Sequence, residues 1–160
     1  MKGYKIMIKV LFICHGNICR SPMAEFVMKD MVRRAGLAEQ FEIASAATSS
    51  EELGSPVYPQ ARQKLAQHGI GCAGKTARRI RQEDYSYYDL LIGMDEANMR
   101  SMARCFGGDP EEKLHLLLSF AGRNASVADP WYTGDFDATW DDVNQGCRAL
   151  LRSLFPSAEF

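Results

Sequence analysis

The chain has 160 residues, a length typical of one compact domain, and such a domain buries about 70% of its unfolded surface without disulfides or metals. Its 46% hydrophobic and 24% charged residues exclude a disordered chain, and no apolar stretch approaches the roughly 18 residues of a membrane span. The formal net charge of -1 argues against a protein that coats nucleic acid or an anionic membrane. The charge is nevertheless uneven, because residues 1–80 carry +6 and residues 81–160 carry -7.

The N-terminal segment imitates a secretory signal peptide. Lys2 and Lys5 precede an apolar run over residues 6–14, but Lys9 interrupts this run and no small-residue cleavage site follows it. We therefore interpret the run as a buried strand of the folded domain.

The five cysteines are odd in number and scattered along the chain, at Cys14, Cys19, Cys72, Cys105 and Cys147. Secreted disulfide frameworks usually contain an even number of cysteines, and no Cys/His set here has zinc-ligand spacing. We therefore expect a reducing, cytoplasmic location, no structural metal and no cofactor.

Strands and helices alternate in the predicted order of elements. Strands are predicted at residues 10–14, 41–46, 89–94 and 114–118, and helices at residues 22–35, 60–67, 96–105 and 136–154. Ser21 and Pro22 are typical of a cap and a first helical position, Gly36 supplies a stop, and Asp95 is a second cap.

This alternation predicts right-handed parallel crossovers and therefore a three-layer, doubly wound α/β fold. We expect one domain over residues 1–160, with a four-stranded parallel sheet of order 2-1-3-4 flanked by helices. Ligands of such folds bind at the carboxyl ends of the strands.

The loop after the first strand has the composition of an anion site. It reads CHGNICRS over residues 14–21, where doubly wound folds place bound phosphates. Gly16 and Asn17 can adopt positive φ, so that backbone N–H groups turn inward, and Arg20 can bind a phosphate through two N–H groups. The predicted phosphate-binding residues are His15, Gly16, Asn17, Ile18, Cys19 and Arg20.

Cys14 lies at the base of this predicted cradle. A free thiol with an ordinary pKa near 8.5 is only about 3% ionised at pH 7, so a nucleophilic cysteine needs a stabilised thiolate. Loop amides, the helix N-terminus and the charge of Arg20 can supply that stabilisation. The plainer alternative is a buried structural cysteine on an ordinary turn.

An Asp-Pro pair follows the last predicted strand. Pro130 biases Asp129 away from helical backbone angles, so the sequence DPWYTG predicts a loop at the same sheet edge as the cysteine loop. Asp129 there could act as a general acid, although an isolated Asp-Pro pair usually reflects turn chemistry alone.

The sequence resembles the low-molecular-weight protein tyrosine phosphatases over nearly its whole length. The resemblance begins with MIKVLFICHGNICRSPMAE and continues through SAATS, HGI, RRIRQEDY, YDLLIGMDEANM and DPWYTGDF. The first and last motifs are specific together, whereas the middle ones mostly reflect a shared fold. By this resemblance Met7 corresponds to the family's usual start, and the first six residues would be either an extension or the result of a misassigned start codon.

The resemblance implies a metal-independent double displacement. Cys14 would attack phosphorus, Arg20 and the loop amides would hold the equatorial oxygens, and Asp129 would protonate the leaving phenolate and later activate water. Ser21 would stabilise the sulfur as a leaving group, with helix capping as its alternative role. Asn17, Ser45 and His68 match family positions that brace the loop, and a solvent-exposed helix-end histidine is the alternative for His68.

Four residues are expected to wall the substrate ring: His15, Glu51, Trp131 and Tyr132. His15 and Glu51 stand where the family more often has an aliphatic and an aromatic residue, whereas Trp131 and Tyr132 keep a stacking surface. Cys19 is a candidate redox partner for Cys14, with a small apolar filler as the alternative.

Three rival functions follow from other features. Arsenate reductases share this fold and loop but need closely spaced relay cysteines and lack the Asp-Pro acid. Residues 69–76 fit the Walker A pattern, but they follow a predicted helix rather than a strand. The basic residues around this segment predict a solvated face, with the orientation of an anionic partner as the alternative (Lys75, Arg78, Arg79 and Arg81). A catalytically inactive phosphotyrosine-binding module would keep the loop without needing Asp129.

The expected partner is a phosphotyrosine-containing protein or another aryl phosphate. We expect no binding to nucleic acid or membrane, and a monomer or weak dimer.

Overall fold

Four parallel strands form the central sheet of the computed structural model, which describes residues 7–160. They are β1 (Ile8–Cys14), β2 (Phe41–Ala47), β3 (Leu90–Gly93) and β4 (Leu114–Leu116). The sheet order is β2-β1-β3-β4, which confirms the predicted order 2-1-3-4. The predicted N-terminal extension lies outside the described residues.

Between residues 7 and 160, six helices flank this sheet: α1 (Arg20–Arg34), α2 (Pro59–Gln67), α3 (Asp84–Tyr87), α4 (Glu96–Phe106), α5 (Pro130–Thr133) and α6 (Phe136–Leu154). Short 3-10 segments occupy Ala38–Gln40 and Leu117–Ala121. None of the helices within residues 7–160 is long and apolar enough to cross a membrane.

The side chains of β1 alternate between two hydrophobic layers. Val10, Phe12 and Cys14 belong to the layer that contains α1, α2 and α6, whereas Leu11 and Ile13 belong to the layer beneath α4. Because successive side chains of a strand point to opposite faces, a strand covered on both faces must be apolar throughout. This explains the continuous apolar run and confirms the three-layer α/β class.

The structure departs from the predicted elements in its second half. The fourth strand ends at Leu116 rather than at residue 118, because Leu117 and Leu118 turn into a 3-10 segment and are fully buried. The four-residue helices α3 and α5 were not predicted, since segments this short have no helical periodicity. The predicted bounds of α6 are confirmed, as is Asp95 as the N-cap of α4.

Helix α6 approaches the 3-10 segment closely at Gly146. A Cβ atom on Gly146 would lie 2.4 Å from Cγ of Leu117, a fully buried side chain. A methyl group cannot occupy that position unless the helix or Leu117 moves. The glycine therefore sets the distance at which α6 packs.

We expect Gly146→Ala to lower the free energy of unfolding by about 1–3 kcal/mol, because the overpacked contact outweighs the better helix propensity of alanine. Urea denaturation measures this change. The control is Asp141→Ala on the exposed side of α6, which should change stability by no more than about 0.5 kcal/mol. An alanine variant as stable as the wild type would contradict the packing argument.

Candidate active site

The candidate site lies at the carboxyl edge of the sheet, where β1 ends at Cys14. The neighbouring strands leave this edge on either side of β1, β2 towards Thr48 and β3 towards Asp95. Residues 15–19 connect β1 to α1, so the loop lies at the helix N-terminus. This arrangement combines the helix dipole with the crevice that doubly wound folds use for ligands.

The thiol of Cys14 is buried and has two polar contacts. The backbone N–H of Asn17 donates to Sγ at 3.3 Å, and Oγ of Ser21 lies 3.0 Å from the same sulfur. Hydrogen-bond donors of this kind favour a sulfur that carries negative charge.

Asn17 has the left-handed backbone angle that the loop requires, with φ of 60°. Few non-glycine residues adopt this conformation, and asparagine is among those that tolerate it. Gly16, which was also expected to take positive φ, does not do so. Asn17 is therefore the residue at which the loop reverses.

The side chain of Asn17 holds this conformation through three hydrogen bonds. Its Nδ2 donates to Oγ of Ser21 at 2.8 Å and to Oγ of Ser45 at 2.9 Å. Its Oδ1 accepts from the backbone N–H of Arg78 at 3.3 Å. The amide thus connects the loop to α1, to β2 and to the segment before α3.

Ser21 contacts the sulfur and does not cap the helix. The prediction that Ser21 caps α1 and Pro22 begins it is wrong, because α1 begins at Arg20 with Cys19 as its N-cap. Since Asn17 donates to Oγ of Ser21, the hydroxyl proton of Ser21 remains available for Sγ of Cys14.

The ion pair of Glu25 and Lys75 holds Ser45, the β2 residue that accepts a hydrogen bond from Asn17. Oγ of Ser45 donates to Oε1 of Glu25 at 2.5 Å, and Nζ of Lys75 lies 3.2 Å from the same oxygen. Nζ of Lys75 also donates to the Ser45 carbonyl at 2.8 Å. Burial lowers the pKa of Lys75, and the charge of Glu25 partly opposes that shift.

Sequence reasoning missed both members of this pair. Lys75 was assigned to a solvated basic face, but only 14% of its side chain is exposed. The available signal was Glu25 itself, a charged residue four positions after Ser21 among the buried apolar positions of α1. The lysine of the Walker A-like segment, Lys75, contacts Glu25 and Ser45 of the same protein. The segment follows α2 rather than a strand, as expected.

The guanidinium of Arg20 is buried beneath two carboxylates and a carbonyl. Its Nη1 donates to Oδ2 of Asp95 at 2.9 Å and to the Val127 carbonyl at 3.2 Å, and Nη2 donates to Oδ2 of Asp129 at 3.3 Å. Burial alone would lower the pKa of Arg20, but the charges of Cys14, Asp129 and Asp95 raise it overall. Asp95 was predicted only as a helix cap, so its contact with Arg20 is new.

Asp129 reaches this cluster from a short segment held at both sides. It is the N-cap of α5, where Oδ1 accepts from the backbone N–H of Trp131 at 3.1 Å. The preceding residue, Ala128, donates its N–H to Asp142 and accepts a bond from Thr139, and both partners belong to α6. The segment that carries Asp129 is therefore fixed by the last helix.

These groups open into one cleft of about 500 Å³. Trp131 and Tyr132 line one wall, with 62% and 85% of their surface exposed, and the ring of Tyr58 contacts Trp131 edge-on at 5.5 Å. His15 and Glu51 also line the cleft, and Nε2 of His15 lies 2.5 Å from Oε2 of Glu51. All four predicted ring-wall residues thus line the same cleft.

His68 is not brought to the loop, contrary to the expectation that it braces it. Its ring stacks on Trp140 at 4.0 Å, in a separate cavity that includes Val27 and Asp30. The bracing contacts come from Lys75 and Glu25 instead. The motif HGI indicated the right region of the chain but the wrong side chain.

Cys19 lies in the same loop as Cys14 but in a different environment. Burial raises the pKa of Cys19 to about 12, and the neighbouring charge of Cys14 adds to the shift. This thiol therefore stays protonated near neutral pH. Its redox pairing with Cys14 stays a prediction.

Comparison with known proteins agrees with this geometry. Residues 9–158 match the family model described as low molecular weight phosphotyrosine protein phosphatase. The chain is 35% identical over 150 residues to a low molecular weight protein-tyrosine-phosphatase of Bacillus subtilis, YfkJ, which covers 92% of this chain and 96% of that protein. It is 35% identical over 147 residues to the human low molecular weight phosphotyrosine protein phosphatase, covering 89% and 92% of the two chains.

The crystal structure of YfkJ superimposes with a TM-score of 0.90 at 33% identity, over 96% of this chain and 97% of the other. The likeness therefore extends over the whole fold that positions residues 14–21 and Asp129. The chain belongs to the low molecular weight phosphotyrosine protein phosphatase family.

Proposed function

We propose that this protein hydrolyses phosphotyrosine and other aryl phosphate monoesters through a phosphocysteine intermediate on Cys14. The observation that carries the proposal is the convergence of a hydrogen-bonded thiol, a buried guanidinium and a carboxylate in one cleft. These three groups match the needs of nucleophilic attack, of charge stabilisation and of proton transfer.

In the first step the Cys14 thiolate attacks phosphorus and the bond to the phenolic oxygen breaks. The departing oxygen takes a proton from Asp129, so that a neutral phenol leaves. Arg20 and the loop N–H groups hold the equatorial oxygens of the transferring phosphoryl group, where charge is spread in the transition state. Binding of phosphate at Arg20 competes with the contacts of Asp95 and Asp129.

In the second step Asp129, now a carboxylate, accepts a proton from water as the water oxygen attacks phosphorus. The bond between phosphorus and sulfur breaks, the Cys14 thiolate is regenerated, and inorganic phosphate leaves. Ser21 supports both steps, because a hydroxyl 3.0 Å from Sγ can donate to the thiolate. The reaction needs no metal ion, so we expect activity to survive a chelator and to be blocked by vanadate.

The ion pair of Glu25 and Lys75 sets the direction of this hydrogen bonding. An ionised Glu25 can only accept, so Ser45 must donate to it and must accept from Asn17. The two amide protons of Asn17 are then both used, and the hydroxyl proton of Ser21 points to sulfur. We infer that the charge of Glu25, acting through Ser45 and Asn17, orients the Ser21 hydroxyl towards the thiolate.

The cleft walls support an aryl substrate. Trp131 and Tyr132 offer exposed aromatic faces for a phenyl ring, and Trp131 is steadied by its contact with Tyr58. We propose that phosphotyrosine-bearing proteins are the substrates, that the chain acts in the cytoplasm as one domain, and that it is a monomer or weak dimer.

The cysteine arrangement supports hydrolysis over arsenate reduction. Cys72 packs with the layer of α1, α2 and α6, whereas Cys105 packs with the opposite layer, so these two thiols lie on different sides of the sheet. A catalytically inactive binding module would not turn over substrate, and the variants below separate it from an enzyme.

The cysteine loop offers a matched pair of variants. We expect Cys14→Ser to lower kcat for p-nitrophenyl phosphate by at least about 10³-fold, because the nucleophile is lost. Cys19→Ser removes a thiol of similar burial from the same loop and should keep activity within about fivefold of the wild type. Steady-state assays measure both, and a Cys14→Ser variant that keeps most of its activity would disprove the assignment.

Asp129 should leave its signature on the pH profile. The wild-type rate should be bell-shaped with a mildly acidic optimum, because Asp129 must be protonated while Cys14 is ionised. Asp129→Asn should lower kcat by about 10²- to 10⁴-fold and remove the alkaline fall of the profile. The control is Asp135→Asn, which removes the same charge at the N-cap of α6, outside the cleft. This variant should retain the bell-shaped profile. A wild-type plateau above pH 8 would contradict this role.

The buried ion pair can be tested through the thiolate itself. We expect Lys75→Met to lower kcat/KM by about tenfold and to shift the pH dependence of Cys14 alkylation by iodoacetamide to higher pH, because Ser21 loses its fixed orientation. The control is Lys29→Met, which removes the cation from Oε2 of Glu25 and leaves the Oε1 contacts in place.

Lys29→Met should keep the wild-type alkylation profile, and Lys75→Arg should restore most of what Lys75→Met loses. If Lys75→Met lowers stability while leaving the alkylation profile unchanged, the pair has a structural role only.

A further inference from the structure

Within residues 7–160, one charged side chain of the cleft, that of Glu52, has no ion-pair partner. The cleft is lined by the acidic residues Glu51, Glu52, Asp95 and Asp129, and by the guanidinium of Arg20 and the imidazole of His15. Asp95 and Asp129 contact Arg20, and Glu51 contacts His15. Glu52 makes no ion pair with any residue of the described range 7–160.

Glu52 lies directly against the phosphate loop. Its Cγ is 3.5 Å from the point that a Cβ on Gly16 would occupy. The effect of its charge extends to the base of the loop, because Glu52 adds to the raised pKa of Cys19, of which burial is the main cause. A half-buried carboxylate thus stands beside a loop that we propose binds a phosphate.

Backbone hydrogen bonds hold residues 48–55, the segment that carries Glu52, in place beside the loop. The N–H groups of Thr48 and Ser49 donate to the carbonyls of Cys14 and His15 at 2.9 and 3.1 Å, and Ser55 donates to the Glu52 carbonyl at 2.9 Å. Residues 48–55 are thus bonded both to the end of β1 and to one another. Because its backbone is fixed, the Glu52 side chain starts from a defined position beside the cleft.

We propose that Glu52 is a specificity-determining residue that selects phosphotyrosine segments with Lys or Arg beside the phosphotyrosine. An unpaired carboxylate next to an anion site repels the phosphate and any acidic neighbour of the phosphotyrosine, whereas a cationic neighbour pairs with it. The proposal rests on the proposed phosphatase function and names the chemistry of its substrate. Glu51 contributes less, because His15 already contacts its carboxylate.

Arg79 is a cation that could oppose this preference. Its Nε donates to the Thr48 carbonyl at 3.3 Å, so it lies beside the segment of residues 48–55, but it does not line the cleft. If Arg79 dominated recognition, substrates with acidic neighbours would be preferred. The experiment therefore has to compare both signs of charge.

The test uses two phosphotyrosine peptides that differ only in the residues flanking the phosphotyrosine on each side, lysines in one and glutamates in the other. We expect the wild-type protein to show at least a tenfold higher kcat/KM for the lysine peptide at low ionic strength. The ratio should shrink in 0.5 M salt, because screening weakens the interaction between charges that are not fully buried. Hydrolysis of p-nitrophenyl phosphate, which has no flanking residues, is measured in parallel.

Three variants locate the source of the preference. Glu52→Gln should reduce the ratio to about threefold or less, and Glu52→Lys should invert it. Glu39→Gln makes the same charge change on an exposed residue at the opposite edge of the sheet and should keep the wild-type ratio. Circular dichroism of each variant establishes that its fold is retained.

Each outcome decides the proposal. Equal rates for the two wild-type peptides, a preference for the glutamate peptide, or a ratio unchanged in Glu52→Gln would overturn it. Those results differ from a failure of the proposed function, which would appear as no hydrolysis of p-nitrophenyl phosphate and of either peptide.

Discussion

The side-chain amide of Asn17 is the contact on which the candidate site depends. It holds a left-handed residue in a loop where the chain would otherwise prefer another conformation, and it joins three separate parts of the fold. Strained backbone of this kind persists when the surrounding structure over-determines it. Because Nδ2 and Oδ1 are both occupied, the loop has one shape before any ligand arrives, and the cost of ordering it falls on folding rather than on binding.

The site is also organised by competition for Arg20. Two carboxylates contact one guanidinium, and each has a second duty, Asp95 as the N-cap of α4 and Asp129 as the N-cap of α5. A phosphate that takes the guanidinium leaves those carboxylates anchored by their caps, so they do not need to reorganise. The charges of the cleft are therefore arranged in advance for the phosphate that we propose binds there, which is the property that makes electrostatic catalysis effective.

The sequence predicts the fold where the local pattern and the tertiary structure agree. The continuous apolar run of β1 and the helical periodicity of α6 gave nearly correct bounds, and the loop chemistry at residues 14–21 located the cleft. Prediction failed where a residue's role depends on a distant partner. Ser21 and Pro22 look like a cap and a first helical residue, but the bond from Asn17 to Ser21 and the short approach to Cys14 require the helix to begin earlier. Lys75 reads as a surface cation until Glu25, fifty positions before it, is placed beneath it.

The segment that carries Asp129 is attached to α6, and this attachment affects the order in which the parts of the site form. The hydrogen bonds of the Asn17 side chain use residues no later than Arg78, whereas the contact between Arg20 and Asp129 joins positions 109 residues apart. Contacts this distant in sequence form late, because closing a long segment of chain costs conformational entropy. The loop that we propose binds phosphate is therefore expected to form before the proposed proton donor is in place. In the proposed mechanism, the contribution of Asp129 to turnover is therefore complete only once α6 has docked.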